Sequence, residues 1–329
     1  MATIKDIADE VGISKAAVSR ILNHKGSFSS ETIAKVERVA RRLNYTSITA
    51  LQQEDAKSSK MIAAIFPAVE LPYYGLLSAV LEKAVYNYGY SLMLCGSLFD
   101  REKEEECFRF LQEKKIDGII LGSYTRDATM ISNQIFPVVT VGYKLAENIP
   151  AVRTDNYAVG RIAARHLLSK GCKKMFYITS FPGDRKDDLR YLGFKDELSR
   201  CGYGLWIYHV DMDMQLTNDF SSIITQMVLE HPDADGCFAE TDALAMNCLR
   251  VFQGLGYRIP DDMKVLGYGN PFFSTFSNPQ LTIVRENTKE IAKETVALLM
   301  DMIEYEEKRE NYPEREIVVP VSLEEHKTT

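Results

Sequence analysis

No apolar run in the sequence approaches the roughly 18–20 residues that a helical membrane span needs. The first residues, Met1-Ala2-Thr3-Ile4-Lys5-Asp6, lack the apolar core of a secretion signal. These absences predict a cytoplasmic protein without a membrane partner. Six cysteines (Cys95, Cys107, Cys172, Cys201, Cys237, Cys248) form no C-x-x-C pair, and most sit in apolar stretches such as Leu92-Met93-Leu94-Cys95; they read as reduced core thiols. Five histidines never stand at i, i+4 spacing, so the sequence shows neither a zinc site nor a metal-hydrolase helix. Also missing are a G-x-S-x-G elbow, a P-loop and a complete G-x-G-x-x-G after a first strand, since Gly254-Leu255-Gly256 and Gly267-Tyr268-Gly269 are too short to serve. Neither an enzyme nor a cofactor is expected.

What is present is a chain of 329 residues, 46% hydrophobic and 26% charged, long enough to bury two or three ordinary cores. Its net charge of −7 is unevenly spread: residues 1–60 carry ten Lys/Arg against seven Asp/Glu, and the remainder is acidic. A mildly basic head on an acidic body suits a nucleic-acid reader attached to a soluble sensor. Chance asymmetry would give the same small difference.

Ile4, Ile7, Ala8 and Val11 recur at i, i+3, i+4, i+7, which predicts a helix, with Thr3 as N-cap and Asp6 completing a capping box. Gly12 ends it. Ser14 caps a second helix, in which Ala17, Val18, Ile21 and Leu22 repeat the spacing. A third starts at Ser29 or Ser30 and buries Ile33, Val36, Ala40 and Leu43. Two helices joined only by Gly12-Ile13-Ser14 fit a helix-turn-helix, whose second helix enters the major groove. Lys15, Ala16 and Arg20 would face base edges, with Ala17 beside them; Ser14, Ser19 and Asn23 suit phosphate oxygens. A plain three-helix bundle with a solvated face satisfies the same pattern.

The runs Thr3-Ile4-Lys5-Asp6-Ile7-Ala8, Val11-Gly12-Ile13-Ser14 and Ala17-Val18-Ser19-Arg20-Ile21-Leu22-Asn23, continued by Glu31-Thr32 and Leu43-Asn44-Tyr45, closely resemble the DNA-binding head of the lactose-repressor family. The resemblance extends, more weakly, over essentially the whole chain. It implies a homodimer on a near-palindromic double-stranded operator and a sensor for a sugar or nucleobase. The family's hinge helix ends in a Leu that wedges into the minor groove. Here ungapped alignment puts Glu54 at that position, with Leu51 available one turn earlier.

From residue 61, short apolar runs (Met61–Phe66, Ser91–Leu94, Gly118–Leu121, Val138–Val141) alternate with amphipathic stretches, predicting βαβ units and parallel sheets. The pattern restarts at Met175. Gly89-Tyr90-Ser91-Leu92 is answered by Gly202-Tyr203-Gly204-Leu205, and Leu111 before Asp117-Gly118 by Leu229 before Asp235-Gly236. The expected fold is α/β: two doubly wound parallel-sheet lobes like those of periplasmic binding proteins, preceded by a small all-α helix-turn-helix domain. Domains are expected at 1–45 (DNA head), 46–60 (linker), 61–152 with 285–312 (first lobe), and 153–284 with 313–329 (second lobe). The chain would cross between lobes near Val152-Arg153-Thr154, near Ile283-Val284-Arg285 and around Pro313.

Effectors bind between the carboxyl ends of such sheets. Tyr73 and Tyr74, after the first strand, can stack on a ligand or simply pack. Asp155-Asn156 resembles the family's Asp-Asn, and Asp155 can hold ligand hydroxyls or cap a helix. Arg190 matches the family's R-x-x-G-F pattern through Gly193-Phe194, where a guanidinium grips two ligand oxygens; otherwise it is a surface ion pair with Asp187 or Asp188. Met214 stands where the family often has a stacking aromatic. Thr241 and Asp242 can face the cleft or cap a helix. In the family's G-[YF]-D-[DN] turn this chain has Gly267-Tyr268-Gly269-Asn270: the carboxylate is gone, and Asn270 is one position later. The effector is expected to be sugar-like, with a modified sugar, a glycoside or another ligand class left open. The function so read is a DNA-binding regulator, commonly a repressor of carbohydrate genes; the competing reading is a cytoplasmic solute-binding or enzymatic α/β domain that does not read DNA.

Overall fold

The computed structural model describes residues 4–22, 26, 28–43, 58–122, 131, 136–181, 187–217, 219–307 and 315–329. Residues 1–59 and 60–329 form two compact units. Of the residues named above, Met1, Ala2, Thr3, Asn23, Asn44, Tyr45, Leu51, Glu54 and Pro313 lie outside the described set.

The first unit contains α1 (Ile4–Val11), α2 (Lys15–Leu22) and α3 (Ser30–Arg42). Its core is Ile7, Ala8, Val11, Val18, Ile21, Val36, Val39 and Ala40, buried together; Val39 was not expected there, and the expected Ile4, Leu22, Ile33 and Leu43 pack against it partly buried. Gly12 stops α1 with φ +80°, its N–H bonding to Ala8 O at 2.9 Å. That left-handed conformation is one glycine adopts without steric cost. Ser14 Oγ accepts from Ala17 N, 3.2 Å, and Ser29 Oγ from Thr32 N, 3.2 Å, so both hydroxyls cap the helices they precede.

The second unit holds β1 (Met61–Phe66), α4 (Pro72–Asn87), β2 (Ser91–Gly96), α5 (Arg101–Glu113), β3 (Gly118–Leu121), β4 (Val138–Val141) and β5 (Ala151–Thr154). After α6 (Asn156–Ser169) come β6 (Lys174–Thr179), α7 (Leu189–Ser199), β7 (Gly204–His209), α8 (Met212–Thr217), α9 (Ser221–Glu230) and β8 (Gly236–Ala239). Then follow α10 (Asp242–Gly254), β9 (Lys264–Gly269), α11 (Pro271–Ser274), β10 (Thr282–Arg285), α12 (Thr288–Glu307), β11 (Glu316–Val319) and β12 (Ser322–Glu324). One sheet runs β11-β5-β4-β3-β1-β2 and the other β12-β10-β9-β8-β6-β7; β12 alone pairs antiparallel.

The two orders match strand for strand. The paired Asp-Gly steps show why. Asp117 Oδ2 accepts from Met61 N, 3.3 Å, at the start of β1, and Asp235 accepts from Lys173 N and Lys174 N, 2.9–3.0 Å, at the start of β6. The glycine after each aspartate is closely surrounded: a Cβ on Gly118 would lie 2.9 Å from the Leu299 side chain, and one on Gly236 3.0 Å from Cys172 Sγ. Each Asp-Gly therefore fixes the register of its lobe's central strand.

The chain passes between lobes after β5, after β10 and between β11 and β12. The third crossing, expected around Pro313, falls later, because β11 pairs with β5 in the first sheet (Glu316 opposite Ala151, Val319 opposite Thr154). Neighbouring crossings are tied together: Arg153 bonds Glu316 at 2.5 Å, and Arg285 bonds Glu324 at 2.6 Å.

Candidate functional site

On α2 the apolar face is spent on the core, leaving Ser14, Lys15, Ala16 and Arg20 exposed, with Ala17 and Ser19 half-buried. Arg20 presents a planar fork and Lys15 a compact cation on the exposed surface of α2, next to a turn fixed by Gly12 and the Ser14 cap. Lys35 donates to Val11 O, 3.3 Å, at the end of α1, and Arg42 pairs with Glu10, so the third helix holds the first two in place.

In the two-lobed unit, strand order reverses at β1/β3 and at β6/β8, where a crevice forms at the strands' carboxyl ends. Arg190 stands at the second of these points, one residue into α7, and is held there by glycines. A Cβ on Gly193 would lie 2.1 Å from Tyr157 O, and one on Gly160 2.0 Å from Arg190 O, so α6 and α7 touch backbone to backbone. That contact brings Arg190 Nε to Asn156 Oδ1, 2.7 Å. Nη1 donates to Glu240 O, 3.0 Å, and lies 3.5 Å from Glu240 Oε1. The guanidinium rests on the Tyr268 ring, 4.0 Å from its centroid, a favourable cation–π arrangement. Its ion pair is thus with Glu240 at the end of β8, not with Asp187 or Asp188. Asp188 instead caps α7 through Tyr191 N, 3.0 Å, and accepts from the Tyr177 hydroxyl, 3.1 Å.

Three further predicted residues gather nearby. Asp242 is buried and accepts from Ala243 N, 2.8 Å, and Asn270 N, 3.3 Å. Burial, only partly offset by these bonds, pushes its carboxyl up to about 6. A Cβ on Gly269 would lie 2.9 Å from Asp242 Oδ2. The carboxylate missing from position 269 is therefore replaced in space by one arriving from the adjacent strand end. Asn270 accepts from Phe272 N, 3.0 Å, and reaches Thr288 Oγ1, 3.4 Å. Tyr73, from the first lobe, sits in the electrostatic field of Glu286, Tyr268 and Arg190; burial first, then Glu286, raises its pKa.

Four predicted residues have structural partners. Asp155 is the exposed cap of α6, accepting from Ala158 N, 2.9 Å, while its neighbour Asn156 holds Arg190. Thr241 caps α10 through Leu244 N, 3.2 Å. Met214 lies on α8 and packs against the second lobe's core. Tyr74 packs on Phe66, ring centroids 5.1 Å apart.

Two residues escaped the sequence reading. Glu240 accepts from Thr179 Oγ1, 2.7 Å, and Ser180 N, 2.5 Å, as well as pairing with Arg190. Glu286, one residue past β10, is only 5% exposed. Its Oε2 accepts from Thr154 Oγ1, 3.2 Å, at the first crossing, and from the Tyr268 hydroxyl; its Oε1 has no hydrogen-bond partner among the described residues. Burial raises the Glu286 carboxyl above its ordinary value, against the pull of Tyr268 and Arg190. No cluster of metal-ligating side chains occurs among the described residues.

A small capped helix pair with an exposed Lys/Arg face, followed by two matched lobes that converge on a polar crevice, defines a DNA-binding transcription regulator with an effector-binding body. Residues 3–47 match the model for bacterial regulatory proteins of the lacI family, and residues 164–329 match that for a periplasmic binding protein-like domain. The chain belongs to the lacI family. It is 29% identical over 324 residues to a sucrose operon repressor of Streptococcus mutans, covering 98% of each chain. It is 30% identical over 305 residues to a ribose operon repressor of Halalkalibacterium halodurans, covering 92% of this chain and 91% of that one. A solved LacI transcriptional regulator from Alkaliphilus metalliredigens, complexed with D-xylulofuranose, superposes with a TM-score of 0.71 at 28% identity, over 82% of this chain and 99% of that one. The relatives are repressors, not enzymes.

Proposed function

We propose that this chain is a cytoplasmic repressor of carbohydrate-utilisation genes that binds a palindromic operator as a homodimer and answers to a sugar-like effector in the interlobe crevice. The exposed face of α2 carries the reading. Arg20 and Lys15 recognise bases, Ala16 and Ala17 approach thymine methyls, and Ser14 and Ser19 hold phosphates. Homodimerisation is supported by Tyr86, Tyr88, Leu94, Leu98 and Phe110, large exposed side chains around edge strand β2. The sugar-like effector is supported by the repressors and the D-xylulofuranose complex that the chain resembles. Arg190, Asp242, Asn270 and Tyr73 line its site. Lobe closure shifts the equilibrium between DNA-competent and incompetent forms by no more than the effector's differential affinity for them.

The test is selection and sequencing of genomic fragments bound by the full chain, with and without a panel of sugars. One palindrome should be enriched, and one sugar should change its recovery. Arg20→Ala should weaken binding to that palindrome by about 1–3 kcal/mol and relax base preference at one position. Failure to enrich any site at low salt would remove the DNA-reading function.

A further inference from the structure

Asp188, Glu240, Asp242 and Glu286 converge at the carboxyl ends of the second lobe's strands, where the described residues offer one cation, Arg190. Arg190 is already committed to Glu240 and to the Tyr268 face. Asp188 and Glu240 are well served by hydroxyl and backbone donors, and Asp242 by two backbone N–H groups. Glu286 differs. It is buried, its Oε2 is satisfied by Thr154 and Tyr268, and its Oε1 has no hydrogen-bond partner among the described residues. Leaving a buried carboxylate oxygen without a donor is costly, and a positive charge with several N–H donors compensates it better than one neutral hydroxyl.

We infer that Glu286 determines effector specificity, and that the effector is an amine-bearing, polyhydroxylated molecule of the amino-sugar class whose ammonium group binds Glu286 Oε1. The inference rests on the reading of the crevice as a sugar-like site and narrows it. Tyr73, a first-lobe hydroxyl that interacts with this carboxyl, withdraws as the lobes part and leaves Oε1 facing the crevice. The ammonium then replaces it, with the Tyr268 and Tyr73 rings as apolar, cation-tolerant walls. Asp242, standing in the space above Gly269, takes a ligand hydroxyl. The arrangement also discriminates against carboxylated sugars, which would meet four acidic groups.

The test is calorimetric titration of the full chain with matched probes: D-glucosamine, D-galactosamine and D-mannosamine against D-glucose, D-galactose and D-mannose. At least one amine should bind about tenfold or more tightly than its neutral counterpart. In Glu286→Gln, which keeps shape and an acceptor oxygen but loses the charge, that ratio should fall to about one. A neutral sugar that binds as tightly as its amine overturns the inference and leaves the sugar-effector reading standing. An amine preference unchanged in Glu286→Gln overturns the assignment to Glu286. Binding by neither set overturns the sugar-effector reading and this inference together.

Discussion

The two lobes are wound alike, strand for strand, yet their strand ends carry different chemistry. Among the described residues, the first lobe brings the Tyr73 ring to the crevice, backed by Tyr74 and the buried Phe66. The second brings charge: Arg190, Glu240, Asp242 and, just past β10, Glu286. A duplicated scaffold has thus been divided between shape and electrostatics, each lobe's topology fixing where its side chains emerge but not what they are. Ligand orientation should depend on the second lobe, and closure on how the first lobe's rings meet it.

The division fails most completely if the second lobe's charges lose their support. Gly193 allows α7 to lie against α6 with a prospective Cβ 2.1 Å from a carbonyl oxygen, a backbone neighbour that cannot swing aside. Gly193→Val should destabilise the chain by about 3 kcal/mol or more, because the helices must separate. It should also abolish effector binding by detaching Arg190 from Asn156. Gly96→Ala at the end of β2, where nothing lies within 4 Å of a prospective Cβ, should change stability by less than about 0.5 kcal/mol. Urea unfolding of both variants checks the contrast. Equal losses would mean that the helix contact is looser than its geometry states.

A second test sharpens the electrostatic half. Because burial raises Asp242 to about 6, the folded chain holds a proton there through a range in which the unfolded chain has released it. Stability due to Asp242 is therefore greatest at low pH and declines as pH rises from about 4 to about 6. Asp242→Asn cannot titrate, so relative to the parent chain it should gain about 2 kcal/mol between pH 4 and pH 7. Titrations shared by the two chains cancel in that difference. A difference that stays flat across the window would mean that Asp242 is solvated in solution, and the charged lobe less dry than its hydrogen bonds imply.

Much of this arrangement was legible in the sequence wherever the signal was local. Ser14 and Ser29 announced their caps, Gly12 its turn, and the repeated Asp-Gly steps the duplicated lobe. Arg190 was legible through the Gly193-Phe194 pattern, since the glycine that permits the helix contact is also the residue that marks the motif. Glu286 was not. In Val284-Arg285-Glu286-Asn287 it reads as a surface charge, and its burial depends on Thr154, 132 residues away, meeting it at another crossing. Met214 shows the other limit of such a signal: its position along the chain matched a ligand-stacking place, and in the fold its side chain, partly buried, also packs against the lobe's core. The third crossing was displaced because the strand after α12 returns to the first sheet, a pairing decided by its partner β5 and not by any turn residue.

The smallest test lies where the two halves of the comparison touch. Tyr73 brings a first-lobe hydroxyl into the field of Glu286, which that hydroxyl helps to stabilise in its charged form, after Tyr268, Arg190 and Thr154. If the first lobe contributes mainly shape, Tyr73→Phe keeps the ring, its edge contact with Tyr74 at 5.1 Å and the wall of the crevice. It should then cost no more than about 1 kcal/mol in stability, the worth of one ordinary hydrogen bond. Effector affinity should change little, since the ligand supplies its own donor to Glu286. Tyr73→Ala removes the ring as well and should weaken effector binding several-fold more than Tyr73→Phe does. Calorimetry on the two variants separates hydroxyl from ring: a Tyr73→Phe loss as large as that of Tyr73→Ala would show that the first lobe shares the charged work, and the division of labour between the lobes would have to be redrawn around the Tyr73–Glu286 contact.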